Sequence, residues 1–245
     1  MSGTSFIDAV ERTLIRHGFG GRSGTAGHEF STVVRALSAH AEAVLRENDR
    51  LHLTSIVEPA AFVTRHVEES AIGAAAVSDC LDPGIARIPR GTLIDLGSGN
   101  GYPGVPLAAL LPAFRPVLVE ASEKKAEFLR KLPAIPGLER IEVVNRQVQR
   151  PVDLPEGLAP IELLATRAMG NWERVLPRLG PVLANDGLLL LWAGAEAERV
   201  FDRADWRARF ELRGTRSLPG RDRAKLWILV SRGPGESGHG PVNCP

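Results

Sequence analysis

The chain has little of what would staple a fold covalently or through a metal. Of its 245 residues only Cys80 and Cys244 are cysteines, in unrelated contexts, which argues against a disulfide framework or a cysteine metal site and makes a reducing cytoplasm the expected home. Its six histidines show no metal-ligand spacing with cysteines or acids, so no metal is expected. No apolar run approaches the roughly 20 residues that cross a bilayer, and Asp8 and Glu11 interrupt the apolar N-terminus where a signal peptide would stay apolar. With 30 basic and 29 acidic residues the net charge of +1 supplies no global attraction to nucleic acid. No G-x-S-x-G elbow is present, which argues against a serine hydrolase. Tyr102 is the one tyrosine and lacks the Tyr-x-x-x-Lys setting of a hydride-transfer enzyme.

What is there suffices for an ordinary core. A hydrophobic fraction of 44% over this length predicts one α/β domain plus an N-terminal extension. Helical apolar spacing covers residues 4–17 and 30–50, the latter through Val33, Val34, Leu37, Ala41, Val44 and Leu45, with the glycine-rich break 18–27 between them. Pro59 can open a third helix through His66 to about Val77. Residues 79–91 read as a connector. Beyond it, short apolar runs alternate with helical stretches, as expected of a parallel sheet with crossover helices. Strands are expected at 92–96, 116–119, 140–144, 161–165, 187–192, 210–213 and 226–230, the last two closing as an antiparallel hairpin. The organisation predicted is a helical extension or cap over 1–90, an α/β domain over 91–232 and a disordered Gly/Pro-rich tail over 233–245.

Chemistry concentrates after the first strand. Leu93-Ile-Asp95-Leu-Gly97-Ser98-Gly99-Asn-Gly101-Tyr-Pro103-Gly104 leads an apolar run with one acid into four glycines, and Glu120 ends the next strand, where a carboxylate can accept both ribose hydroxyls of an adenosine. Gly99 to Gly104 also satisfies the dinucleotide pattern G-x-G-x-x-G, yet the glycine that follows the strand directly is Gly97, which puts Tyr102 where that pattern needs its third glycine. The pattern Asp95-x-Gly97-x-Gly99-x-Gly101 resembles the first motif of class I S-adenosylmethionine-dependent methyltransferases, whose fold is a doubly wound seven-stranded sheet with an antiparallel last strand. NAD and a purely structural glycine turn stand as alternatives.

A narrower resemblance is carried by Gly97-Ser-Gly-Asn-Gly-Tyr-Pro-Gly-Val-Pro-Leu107, Leu53-Thr54, Arg65-His66-Val-Glu-Glu69-Ser70, Glu120-Ala121-Ser-Glu-Lys124-Lys125 and Thr166-Arg167-Ala168. In this order they resemble the bacterial 16S ribosomal RNA guanine-N7 methyltransferases, the glucose-inhibited division protein B family, over about residues 30–231. The resemblance implies S-adenosylmethionine as cofactor, held by Asp95, Gly97, Ser98, Gly99, Gly101, Pro103, Glu120, Ala121, Arg146, Gln147, Val148 and Arg167. It also implies 16S rRNA or the small ribosomal subunit as partner, a monomeric enzyme, and no membrane. Arg167 is the expected catalytic group, on an RNA phosphate or the guanine O6, or else paired with Glu120 or Glu69. His66, Lys124, Lys125 and Asn171, with Trp172, are the expected substrate side. The family's acid after its third strand is absent from Arg146-Gln-Val-Gln149, and Ala193 stands where the family has lysine at the end of its fifth strand. Those departures keep open a different RNA or small-molecule acceptor, or a non-catalytic RNA-binding role. The seven arginines between Arg203 and Arg223 form either a positive face or an ordinary solvated surface.

Overall fold

The computed structural model describes residues 6–20, 29–80 and 91–232. Residues 21–28 of the glycine-rich break, 81–90 of the connector and the tail 233–245 lie outside the described residues.

The helical spacing near the N-terminus yields α1 (Phe6–Arg16) and α2 (Phe30–Leu51). The third helical stretch begins at Pro59, whose missing amide costs nothing in a first turn, with the Glu58 carboxylate accepting from the amides of Ala60 at 3.0 Å and Ala61 at 2.6 Å. It runs as α3 (Pro59–Phe62), a π-helical segment (Val63–Glu68) and α4 (Glu69–Cys80). The π segment carries Arg65 and His66 and was not readable from spacing, since an i→i+5 turn leaves no sequence signature of its own. Cys80 is disulfide-bonded, although two cysteines in unrelated contexts argued against a disulfide framework.

From Thr92 the chain builds the expected sheet: β1 (Thr92–Leu96), α5 (Gly104–Leu110), β2 (Arg115–Glu120), α6 (Glu123–Leu129), β3 (Glu142–Asn145), β4 (Ile161–Arg167), α7 (Trp172–Leu179), β5 (Leu183–Gly194), α8 (Ala197–Phe201), α9 (Ala204–Arg207), β6 (Phe210–Leu218) and β7 (Arg221–Ser231). The strand order is β3-β2-β1-β4-β5-β7-β6, with β7 antiparallel to both neighbours. The order reverses between β1 and β4, and in such a sheet ligands bind in the crevice at the carboxyl ends of the strands flanking that reversal.

Alternate side chains on each strand feed two cores, which is why the strands read as unbroken apolar runs. Leu93, Leu163, Leu190, Trp192 and Ile228 face one core, while Ile94, Leu164, Leu189, Leu191 and Trp227 face the other. The first core also contains Leu14, Leu37, Phe62 and Val77, so α1 to α4 pack against the same sheet face as α5. Contact there is close. A β-carbon on Gly73 of α4 would meet the Trp192 ring at 2.6 and 2.7 Å, and that ring is held by its indole N–H donating to the Glu69 carbonyl at 3.1 Å. Helix propensity favours alanine over glycine by about 1 kcal/mol, whereas overpacking a core costs about 1–3 kcal/mol. Gly73→Ala is therefore expected to destabilise the fold by up to about 2 kcal/mol in urea unfolding, and a stabilised variant would show that Trp192 is free to slide.

Candidate active site

The turn after β1 is shaped by three glycines with positive φ: Gly97 at 77°, Gly99 at 55° and Gly101 at 91°. Side chains with a β-carbon rarely adopt this region. The Ser98 hydroxyl donates to the Asp95 carbonyl at 2.8 Å, which tightens the turn against β1. Asn100 Oδ1 accepts the Tyr102 amide at 3.3 Å, and Pro103 leads into α5, where the Gly104 amide donates to Asp95 Oδ2 at 3.0 Å. Gly104 has a second necessity, because a β-carbon there would run into the Asp95 carboxylate and Leu118.

Asp95 is wholly buried, and its second oxygen, Oδ1, has no hydrogen-bond donor among the described residues. Burial pushes its carboxyl up from 3.8 to about 7, with the Gly104 amide acting in the opposite sense. The folded chain thus binds the proton more tightly than the unfolded chain does. Stability from this group is complete below the unfolded value and is lost as pH rises through the window from 3.8 to about 7, amounting to about 4 kcal/mol at 1.36 kcal/mol per unit. Urea unfolding from pH 4 to 8 is expected to show this slope in the wild type and not in Asp95→Asn. Equal pH profiles for the two proteins would contradict it.

Across the turn, Glu120 Oε2 accepts the Gly99 amide at 2.8 Å and Oε1 accepts the Ser122 amide at 2.7 Å. Each carboxylate oxygen keeps a further lone pair for a ligand hydroxyl. Glu120 is thereby aimed by the loop it faces. Ala121, Gln147 and Val148 line the same cleft as Gly97, opposite Met169 to Asn171 at the β4 end, and Arg146 stands beside them.

Arg167, at the tip of β4, is committed to the protein. Nη1 donates to the Arg65 carbonyl at 2.8 Å, Nη2 donates to His66 Nδ1 at 2.6 Å, and the guanidinium lies 3.5 Å from Glu69 Oε2. Of the two acids weighed as its structural partner, Glu69 is the one found. Since Arg167 donates to Nδ1, His66 carries its proton on Nε2 and donates to Thr54 Oγ1 at 3.0 Å. Burial, reinforced by the Arg167 charge, lowers His66 to about 3, so it stays neutral. Its ring stacks on Tyr102 at 4.9 Å and meets the Phe62 ring at a tilt at 4.5 Å. Both ring nitrogens of His66 are thus occupied within the protein, and the residue is 6% exposed. Arg65, four residues before Glu69, lies 3.4 Å from its carboxylate.

His40 belongs to the same cluster. It lies on the apolar face of α2, three residues after Leu37, and that placement was the available signal. Its Nε2 donates to the Asn100 carbonyl at 2.9 Å and its ring stacks on Tyr102 at 4.6 Å, while burial lowers it to about 4. The row His40, Tyr102, His66 and Phe62 fastens α2 and the π segment to the back of the glycine turn. Of the remaining expected substrate residues, Lys124 and Asn171 are exposed and Lys125 is half-buried, on α6 and at the start of α7. Trp172 is half-buried in the second core, 5.5 Å from the Trp206 ring. Lys225 pairs directly opposite Ala193 in the β5–β7 ladder, so the sheet end that lacks the expected lysine carries one on the neighbouring strand.

An acid and a glycine turn at the reversal of such a sheet are the parts of an adenosyl pocket, and the comparisons agree. The family model described as GidB, rRNA small subunit methyltransferase G, matches residues 34–219. The chain belongs to the GidB family. A GidB relative, the ribosomal RNA small subunit methyltransferase G of Sorangium cellulosum, is 32% identical over 179 residues, covering 72% of this chain and 70% of that one. Its counterpart in Xylella fastidiosa strain 9a5c is 34% identical over 160 residues, covering 65% and 68%. Among solved structures, a fibrillarin/Nop5p complex matches with TM-score 0.51 and 18% identity over 65% of this chain and 80% of that chain. A ribosomal protein L11 methylase from Lactobacillus delbrueckii subsp. bulgaricus matches with TM-score 0.52 and 12% identity over 69% and 79%. These two likenesses bear on fold, which is that of the class I methyltransferases. No described helix is long and apolar enough to cross a membrane, and the described residues contain no group of metal-ligating side chains.

Proposed function

We propose that this GidB protein transfers a methyl group from S-adenosylmethionine to N7 of a guanine in 16S ribosomal RNA, acting as a cytoplasmic monomer on the small subunit or a partly assembled form of it. The observation that carries the reading is the buried Asp95 oxygen without a donor, set beneath a glycine turn that Glu120 faces from the other side. An ammonium, directly or through water, fits the first, and a ribose diol fits the second. The bound sulfonium would supply the electrophilic methyl group.

The acceptor nitrogen already exposes a lone pair, so the protein has no proton to remove before transfer. Its contribution is alignment and tolerance of positive charge passing from sulfur to base. Asp95 holds the donor's amino group, the three positive-φ glycines let the backbone approach closely, and Glu120 fixes the ribose. Ala121, Gln147 and Val148 bound the adenine side, with Arg146 at its edge. Arg167 works as a positioning residue, because its terminal nitrogens are spent on Arg65, His66 and Glu69. Lys124, Lys125, Asn171 and Lys225 remain for the substrate side. Residues 1–90 are read as a cap on the domain 91–232. Transfer of label from methyl-tritiated cofactor to undermethylated small subunits tests the assignment, which fails if wild-type incorporation does not exceed that of Asp95→Ala.

A further inference from the structure

The cleft that runs from the glycine turn toward α7 has a volume of about 290 Å³ and is lined by three arginines, Arg146, Arg174 and Arg178, with no acidic side chain in its wall. All three are exposed. Among the described residues Arg174 and Arg178 form no ion pair, and Arg146 reaches only the Asp153 carbonyl at 3.5 Å. Arg174 and Arg178 stand four residues apart on α7, hence on one helical face, where like charges repel. Such an arrangement is relieved by an anion lying across it. The cofactor is not that anion, since its sulfonium and ammonium outweigh its one carboxylate and leave it a cation.

We propose that Arg146, Arg174 and Arg178 form a phosphate-binding rim that grips the backbone of the RNA strand beside the methylated base. The inference rests on the RNA-directed reading above and adds to it the surface on which the strand lies. Guanidinium forks bind phosphate oxygens bidentately, and two of them one helical turn apart, with β-carbons about 5–6 Å from each other, can engage successive phosphates of one strand. Near-neutral overall charge is no obstacle, because the attraction is local to this cleft.

The test is filter binding of unmodified 16S rRNA across a potassium chloride series, with wild type and Arg174→Gln/Arg178→Gln. Each lost phosphate contact is expected to lower the log-log salt slope by about 0.7–0.9, so the double variant should lose about 1.4–1.8, and adding Arg146→Gln should remove about one further contact. Calorimetric affinity of the Arg174→Gln/Arg178→Gln variant for S-adenosylhomocysteine should not change. An unchanged salt slope would make these arginines ordinary solvated surface and overturn the proposal. A tenfold or greater loss of S-adenosylhomocysteine affinity would assign them to the cofactor pocket and overturn it equally. If the wild type itself binds the RNA weakly and without salt dependence, the RNA reading fails and the rim fails with it, an outcome distinct from a normal wild-type slope that the substitutions leave untouched.

Discussion

Arg167→Ala is expected to lower folding stability by about 3–5 kcal/mol, the usual cost of breaking a buried ion pair by removing one partner. The side chain is 13% exposed and bridges the tip of β4 to the π segment through the Arg65 carbonyl, His66 and Glu69. Without it, His66 Nδ1 loses its donor inside the core. Glu69, already raised by burial, keeps only Arg65 at 3.4 Å and Arg221 at 3.7 Å, both partly exposed. Arg167→Lys should recover little, because a single ammonium nitrogen cannot stand at both positions that Nη1 and Nη2 occupy. Urea unfolding decides the matter. A group that only touched substrate would leave stability within about 0.5 kcal/mol and depress kcat alone, and that result would return Arg167 to the catalytic role first expected of it.

The second large effect belongs to Glu120. Hydrogen bonds to a charged group contribute about 1.5–3 kcal/mol each, so losing both ribose contacts in Glu120→Ala, about 3 kcal/mol at the low end, should weaken S-adenosylmethionine binding by about 100-fold or more at 1.4 kcal/mol per decade. The substitution also strips the acceptor from the Gly99 and Ser122 amides, which loosens the turn against which the ligand lies. Glu120→Gln keeps one carbonyl acceptor and should lose about tenfold. Isothermal calorimetry measures both variants. Equal affinities in wild type and Glu120→Ala would mean that the ribose is held elsewhere.

Much of the architecture was legible because it depends on local rules. The alternation in Leu93–Leu96 and Leu188–Trp192 serves two cores at once, and the positive-φ needs of Gly97, Gly99 and Gly101 are written as glycine. The strand boundaries were less legible. β5 begins at Leu183, four residues before the expected start, because the β4–β5 ladder shifts register opposite Ile161–Leu163, with the extra residues on β5, and lets Leu183 pair ahead of the main ladder. The site was legible where ligand chemistry dictates residue type, as at Asp95 and Glu120. It was not legible where only packing does. His40 and His66 look like polar interruptions in helices, and that each stacks on Tyr102 follows from how α2 and the π segment meet the glycine turn, which is long-range geometry. The identity of the acid paired with Arg167 was open for the same reason.

The whole account depends on an adenosyl sulfonium occupying the crevice at the ends of β1 and β4. Its most direct measurement is calorimetric titration of S-adenosylmethionine into the intact chain and into folded Glu120→Ala. Saturable one-to-one binding in the first, weakened by about 100-fold or more in the second, is the predicted result. Absence of heat with the wild-type protein at millimolar cofactor would contradict it.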